Sequence, residues 1–242
     1  MIVGILPARY ASVRFPGKPL ALLAGKPMIL HVLEAGRAAR RLSRVAVATD
    51  DERIAAAVRG AGGEAILTSA GASSGTDRLA EAARAIPADV YVNIQVDEPL
   101  MSAENIDRAI EALVSSSDRE IATLAIPMPA GEAPDPNVVK VAVARDGRAL
   151  YFSRAPIPFA HSGAPAHRKH LGLYAYRADT LARIAALPPS PLEKMESLEQ
   201  LRWLEAGYDI WVAEAANDSI GVDTPEDLAK VEEFLARKEA VS

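Results

Sequence analysis

Five short polar clusters in this chain of 242 residues carry side chains able to do chemistry. The first lies in "GILPARYASVRFPGKPL", Gly4 to Leu20, where an apolar strand pattern turns into a loop holding Arg9, Arg14 and Lys18. The chain as a whole is acidic, with a formal net charge of −5, so three cations close together ask for an anion. Pro16 and Gly17 suit a tight turn, and backbone N–H groups beside Arg and Lys suit a polyphosphate. The loop lacks the Walker pattern G-x-x-x-x-G-K-[ST], and no G-x-G-x-x-G follows the first strand, which argues against a P-loop or a dinucleotide fold. The second cluster, Thr49 to Asp51, either caps the next helix or stands near a ligand. In the third, "SSGTDRL" at 73–79, Gly75 lets the backbone approach a ligand, Ser, Thr and Asp can cap, and Arg78 can reach an anion.

The fourth cluster, "NIQVDEPL" at 93–100, sets Gln95, Asp97 and Glu98 directly after an apolar run. Carboxylates at the end of an interior strand are costly unless solvated, paired or bound to a cation. Mg²⁺ suits such a place, because it takes one or two carboxylates and completes its shell with water and substrate phosphates. The fifth, "IGVDTPEDL" at 220–228, puts Asp223 before a good helix start at Thr224-Pro225. Taken singly, Asp97 and Asp223 read as helix caps; taken together they read as a two-carboxylate metal site. Further along, Arg154, His170, Tyr174, Glu199 and Gln200 offer cation, donor and amide groups suited to a hydroxylated carboxylic acid.

The elements that must position these groups follow from periodicity. "IVGILPA", "RVAVATD", "EAILTS" and "DVYVNIQV" read as buried strands. They alternate with the helical patterns "KPMILHVLEAGRAAR", "DERIAAAVRGAGG", "TDRLAEAARAI" and "AENIDRAIEALVSS". Such alternation predicts an α/β fold with a doubly wound, mainly parallel sheet. After about residue 119 the chain becomes β-rich ("EIATLAIPM", "NVVKVAVARDG", "RALYFSR", "HLGLYAYR"), with a loop from Pro156 to His167. A helix "LEKMESLEQLRWLEAG", a strand "YDIWVAEA" and a helix "TPEDLAKVEEFLARK" close it. The expectation is a single domain over 1–242 that carries a smaller β-rich lobe at roughly 120–175.

Composition bounds the function. Half of the residues are hydrophobic and 24% are charged, as in a globular protein. No apolar run approaches the roughly 20 residues that span a bilayer, and the start lacks a signal-peptide pattern. The absence of cysteine excludes disulfides, thiolate metal sites and a cysteine nucleophile. An acidic chain argues against general nucleic-acid binding. A cytoplasmic enzyme with neither membrane nor nucleic-acid partner is expected.

In order and spacing, "PARYASVRFPGKPL", "VATDDERI", "SGTDRLAE", "VNIQVDEP", "NVVKV", "ALYFSRAPIP", "HLGLYAYR", "LEQLR" and "GVDTPEDL" resemble the 3-deoxy-manno-octulosonate cytidylyltransferase family over nearly the whole chain. The resemblance implies a nucleotidyltransferase sheet with a dimerisation lobe, a homodimer, and Mg²⁺-dependent joining of CTP and 3-deoxy-D-manno-octulosonate (KDO). The products would be CMP-KDO, activated for lipopolysaccharide assembly, and pyrophosphate. It implies that Arg9, Arg14 and Lys18 hold the CTP phosphates. Ser74, Gly75, Thr76, Arg78 and Gln95 would surround the cytidine, and Asp97 and Asp223 would bind Mg²⁺. Arg9, Lys18, Asp97 and Asp223 form the implied catalytic set. Arg154, His170, Tyr174, Glu199 and Gln200 would line the sugar-acid pocket. The alternatives are a cytidylyltransferase for 8-amino-KDO or another sugar acid such as sialic acid, and a non-catalytic sugar-nucleotide sensor. The family pattern has glycine where Val96 stands. The strand pattern predicts that β structure runs on through Val96 at negative φ, with its side chain clear of the nucleotide site.

Overall fold

The computed structural model describes residues 1–11, 14–72, 74–163 and 166–239. Ser12 and Val13 of the opening loop, Ser73 of the third cluster, and Ala164 and Pro165 of the long loop lie outside the described residues. The chain divides into two compact units, Met1–Ile106 with Ser219–Ser242, and Asp107–Asp218.

The first unit begins with β1 (Ile2–Ala8) and a short 3₁₀ turn at Lys18–Leu20. A two-stranded hairpin follows, β2 (Leu22–Leu23) with β3 (Lys26–Pro27). Then come α1 (Met28–Ala38), β4 (Arg44–Thr49), α2 (Glu52–Gly60), β5 (Glu64–Leu67), α3 (Gly75–Ala83) and β6 (Val90–Asn93). The strands lie in the order β6-β1-β4-β5, every pairing parallel. The chain steps outward from β1 through β4 to β5, then returns to the other side of β1 with β6. Ligands of open α/β sheets bind at such a reversal, beyond the carboxyl ends of the strands. Val3, Ile5, Leu6, Val47 and Val92 are fully buried, as parallel strands covered by helices require. The expected strand "DVYVNIQV" ends earlier than its pattern suggests, at Asn93.

A fourth helix, α4 (Ala103–Val114), carries the boundary between the units. The second unit holds β7 (Ile121–Pro127), β8 (Lys140–Val143), β9 (Ala149–Ser153), β10 (Arg168–Arg177), α5 (Ala178–Ala185), α6 (Pro191–Glu196), α7 (Gln200–Glu205) and β11 (Ile210–Glu214). Here β7 pairs in parallel with β11 and antiparallel with β10, and β8 pairs antiparallel with both β9 and β10. The α/β class with a mainly parallel first sheet and a β-rich second region agrees with the sequence reading. The expected single helix over "LEKMESLEQLRWLEAG" is instead two, α6 and α7, parted at Ser197 in the left-handed region (φ 53°). The last helix, α8 (Pro225–Glu239), belongs to the first unit.

Candidate active site

The loop after β1 folds back on itself through Gly17. Its N–H donates to the Tyr10 carbonyl (2.9 Å), and its φ of 75° is one that glycine adopts readily. A Cβ at this position would stand 3.1 Å from the Tyr10 ring, so space as well as φ calls for glycine. Tyr10 is covered by the Arg53 guanidinium 3.4 Å above its centroid, and Arg53 grips Asp51 through two bonds. That pairing holds the Asp51 carboxyl below its ordinary range. The turn delivers Lys18 at the start of the 3₁₀ segment, where its side chain points inward and is 14% exposed.

Lys18 is the centre of the site. Its Nζ lies 3.1 Å from Asp97 Oδ2 and 3.3 Å from Asp223 Oδ1, and donates to the Val222 carbonyl at 3.0 Å. Arg14 reaches the other oxygen of Asp223 at 3.0 Å. The fourth and fifth clusters, more than a hundred residues apart in sequence, are tied by backbone too: the Val222 N–H donates to the Asp97 carbonyl at 2.7 Å. Neither aspartate is a cap. Ser102 Oγ accepts from the Asn105 N–H at the start of α4, and Thr224 with Asp227 closes the first turn of α8. Burial alone would raise the Asp227 carboxyl. Bonds from Lys230, Thr224 and the Asp223 N–H outweigh it and hold that group below its ordinary range.

The third cluster is both cap and site. Ser74 accepts from the Asp77 N–H while Asp77 accepts from the Ser74 N–H, a reciprocal capping box at the start of α3. One turn on, the buried Arg78 pairs with Asp50 at 3.0 Å and donates to Thr68. The second cluster thus serves two ends: Asp51 caps α2, and Asp50 orients Arg78. Gln95 donates from Nε2 to Asn93 Oδ1 at 3.2 Å. Its amide faces Gly75, where a Cβ would stand 3.7 Å from Nε2. Thr76 is buried behind them.

These groups enclose a cavity of about 300 Å³ within the first unit. Of the residues singled out from sequence, Arg9, Arg14, Lys18, Ser74, Gly75, Arg78, Gln95, Asp97 and Asp223 line it. Pro7, Ala8, Pro19 and Ala72 also line it, yet being apolar they carried no chemical signal. Val96 lines it as well, against expectation. Asp50 and Asn93 act from behind the wall through Arg78 and Gln95. Val96 avoids positive φ, as expected, but it sits in a turn beyond the end of β6, closed by the Glu98 N–H on the Gln95 carbonyl (3.2 Å).

The other five residues belong to the second unit. A shift in the β10 register between Leu171 and Tyr174 re-aims the side chains on either side of it. His170 lies edge-on to Phe152 (centroids 5.0 Å) and 5.3 Å from Tyr174. Thr123 Oγ1 donates to the Leu173 carbonyl at 2.8 Å, which leaves the hydroxyl to accept from His170 Nε2–H at 2.9 Å. Desolvation among these rings pushes His170 down to about 3, so the ring is neutral. Tyr174 meets Trp203 of α7 edge-on at 5.2 Å, and Glu199 and Gln200 open that helix. Arg154, just past β9, donates to the carbonyls of Glu196 (2.7 Å), Pro136 (2.9 Å) and Ser197 (3.3 Å).

A family model described as "Cytidylyltransferase" matches residues 3–210. The chain is 57% identical to the 3-deoxy-manno-octulosonate cytidylyltransferase of Syntrophobacter fumaroxidans, over 98% of this chain and 97% of that one. It is 52% identical to the protein of that name from Anaeromyxobacter dehalogenans strain 2CP-C, over 96% of each. A solved structure of CMP:2-keto-3-deoxy-manno-octonic acid synthetase complexed with CTP superposes with a TM-score of 0.93 at 43% identity, covering 98% of this chain and 99% of that one. A cytidylyltransferase from Leptospira borgpetersenii shares the fold (TM-score 0.66, 15% identity, 98% and 87% covered). On sequence and fold together, the chain belongs to the 3-deoxy-manno-octulosonate cytidylyltransferase family.

Proposed function

We propose that the protein joins CTP and KDO to give CMP-KDO and pyrophosphate, activating the sugar for lipopolysaccharide synthesis. One observation carries this reading. In a chain of this family, a single cavity gathers three cations of the first loop, the start of α3, and two carboxylates from distant segments. The anomeric hydroxyl of KDO attacks the α-phosphorus of CTP. A new O–P bond forms, the bond to the β-phosphate oxygen breaks, and the hydroxyl proton leaves to solvent. Such transfer depends on positioning and charge neutralisation more than on covalent catalysis. Arg9, Arg14 and Lys18 stabilise the charge that builds on the leaving pyrophosphate. Ser74, Gly75, Thr76, Arg78 and Gln95 hold the cytidine. Arg154, His170, Tyr174, Glu199 and Gln200 receive the sugar acid, with neutral His170 acting through hydrogen bonds.

Asp97 and Asp223 fit Mg²⁺. Their oxygens converge on one point, now met by Lys18 Nζ, and both side chains are part-exposed. Among the described residues no group of three or more His, Cys, Asp or Glu is placed to hold a metal alone. Two carboxylates are enough for an ion that completes its shell with water and phosphate. When bound, the ion would polarise the α-phosphate and lower the pKa of the attacking hydroxyl. Two further parts of the reading are cytoplasmic location, where CTP is made, and a homodimer formed through roughly residues 120–175. The dimer is the arrangement that membership of this family supports. The mass from light scattering at micromolar concentration tests it, and a clean monomer would refute the dimer.

The deciding assay measures pyrophosphate release from each of the four nucleoside triphosphates with KDO, 8-amino-KDO or sialic acid, with and without Mg²⁺. CTP with KDO and Mg²⁺ should release it fastest. No release with any KDO-type acid, from folded protein, would sink the reading.

A further inference from the structure

Lys140 is fully buried at the first position of β8, and among the described residues its ammonium bonds to no carboxylate. All three ammonium protons go to backbone carbonyls: Asp135 at 2.7 Å, Val138 at 2.8 Å and Arg154 at 2.7 Å. A buried lysine is an expensive way to satisfy carbonyls that a turn or a neutral donor could serve. Burial here pulls its pKa below the ordinary lysine range, with Asp135 and Glu196 opposing and Arg154 adding to the effect.

The bonds share a target. Lys140 fixes the backbone of Arg154 directly. It also fixes the 135–138 loop on both sides of Pro136, whose carbonyl takes the Arg154 guanidinium. Glu196 clamps the same place from the other side, accepting from the Arg154 N–H (3.0 Å) and the Ser153 hydroxyl (2.7 Å). On the far flank, the Val139 carbonyl accepts from the His170 N–H at 2.9 Å. Lys140 therefore bonds the backbone of Arg154 and directly follows Val139, which takes the N–H of His170, so it adjoins two of the five residues assigned to the sugar acid.

We propose that Lys140 is a positioning residue for the sugar-acid site: its ammonium locks the Arg154 backbone and the 135–138 loop, and so sets where the Arg154 guanidinium meets the substrate carboxylate. The inference rests on the proposed role of Arg154. An arginine that must meet a carboxylate with two aligned N–H groups loses most of its advantage when its backbone drifts.

The test compares K140M, K140Q and R154A in the full chain, with KM for KDO read at saturating CTP and KM for CTP read at saturating KDO. Folding is checked by far-UV circular dichroism. K140M should raise KM for KDO by about tenfold or more while KM for CTP stays within about twofold, as expected when one substrate's charged contact is misaligned. K140Q keeps an amide donor for two of the carbonyls and serves if K140M does not fold; a smaller rise of the same selectivity is expected. Because the chain has no cysteine, K140C can be aminoethylated in denaturant at that position alone and refolded, which restores the ammonium and should restore KM for KDO. Unchanged KM for KDO in K140M, equal loss for both substrates, or failure of both K140M and K140Q to fold would each overturn the proposal. R154A separates the two claims. If it leaves KM for KDO unchanged, the sugar-site reading has failed. If it raises KM for KDO and K140M does not, the role of Lys140 has failed.

Discussion

Replacing Lys18 by methionine keeps the length of the side chain and removes the charge between Asp97 and Asp223. The Nζ contacts lie at 3.1 and 3.3 Å. Coulomb's law at such distances gives about 1.3 kcal/mol per pair in bulk water and roughly 5 kcal/mol at an effective dielectric of 20. Each aspartate side chain is 39% exposed, so the lower figure is the better guide. The two pairs together come to about 2–3 kcal/mol. For a chain of this size that is a fall of roughly 4–12 °C in Tm. Of the cations between them only Arg14, on the far oxygen of Asp223, then remains, and a divalent ion can take the place Lys18 left. Millimolar Mg²⁺ without nucleotide should therefore raise the Tm of K18M by several degrees more than it raises that of the wild type, by mass action on the folded state. Differential scanning fluorimetry with a Mg²⁺ series reads both effects. An unchanged Tm for K18M, or equal Mg²⁺ shifts in the two proteins, would show that the lysine does not act as a counterion in the ligand-free site.

D97N and D223N should each lower kcat by about two orders of magnitude or more with the fold intact, the scale of a lost catalytic metal contact; near-normal turnover in either would remove that residue from the metal site. His170 has a folded-state pKa of about 3 against the ordinary 6.5, so between these values the unfolded chain holds a proton that the folded chain does not. Its contribution to stability is intact above that ordinary value and falls with pH below it, by up to about 1.4 kcal/mol per pH unit. H170N should flatten the acid limb of Tm against pH, and parallel curves would refute the assignment. V96G should cost about 1–3 kcal/mol for the lost buried side chain, with KM for CTP changing by less than about threefold; a large gain in CTP affinity would show that Val96 obstructs the nucleotide.

The first unit was readable because its signals are local. Apolar runs, glycine at the loop turn and short polar residues before α2 and α3 act within a few residues of themselves, and β1, β4, β5 and the capped starts of α2 and α3 lie where those signals put them. The helix "LEKMESLEQLRWLEAG" fails for a non-local reason. Its residues favour one continuous helix. Yet the carbonyls of Glu196 and Ser197, which such a helix would use internally, accept from Arg154 some forty residues earlier. The break is made by the tertiary partner, and the left-handed Ser197 is where the backbone accommodates it.

Val96 shows the same limit inside the site. β-Propensity reports how well a residue fits a half-buried surface, not which backbone shape it holds. The pattern "VYVNIQV" correctly marks Val96 as buried, at 5% exposure, and correctly denies it positive φ. The backbone nevertheless leaves the strand after Asn93, with the Ile94 N–H on the Ile5 carbonyl (3.0 Å), and turns at Gln95. What holds the turn is the Val222 N–H on the Asp97 carbonyl and Lys18 on the Asp97 carboxylate, partners 125 and 79 residues away in sequence. The capping readings of Asp97 and Asp223 were reasonable for each segment alone. They fail because Ser102, Thr224 and Asp227 already satisfy the helix starts, which leaves both carboxylates directed at the same lysine.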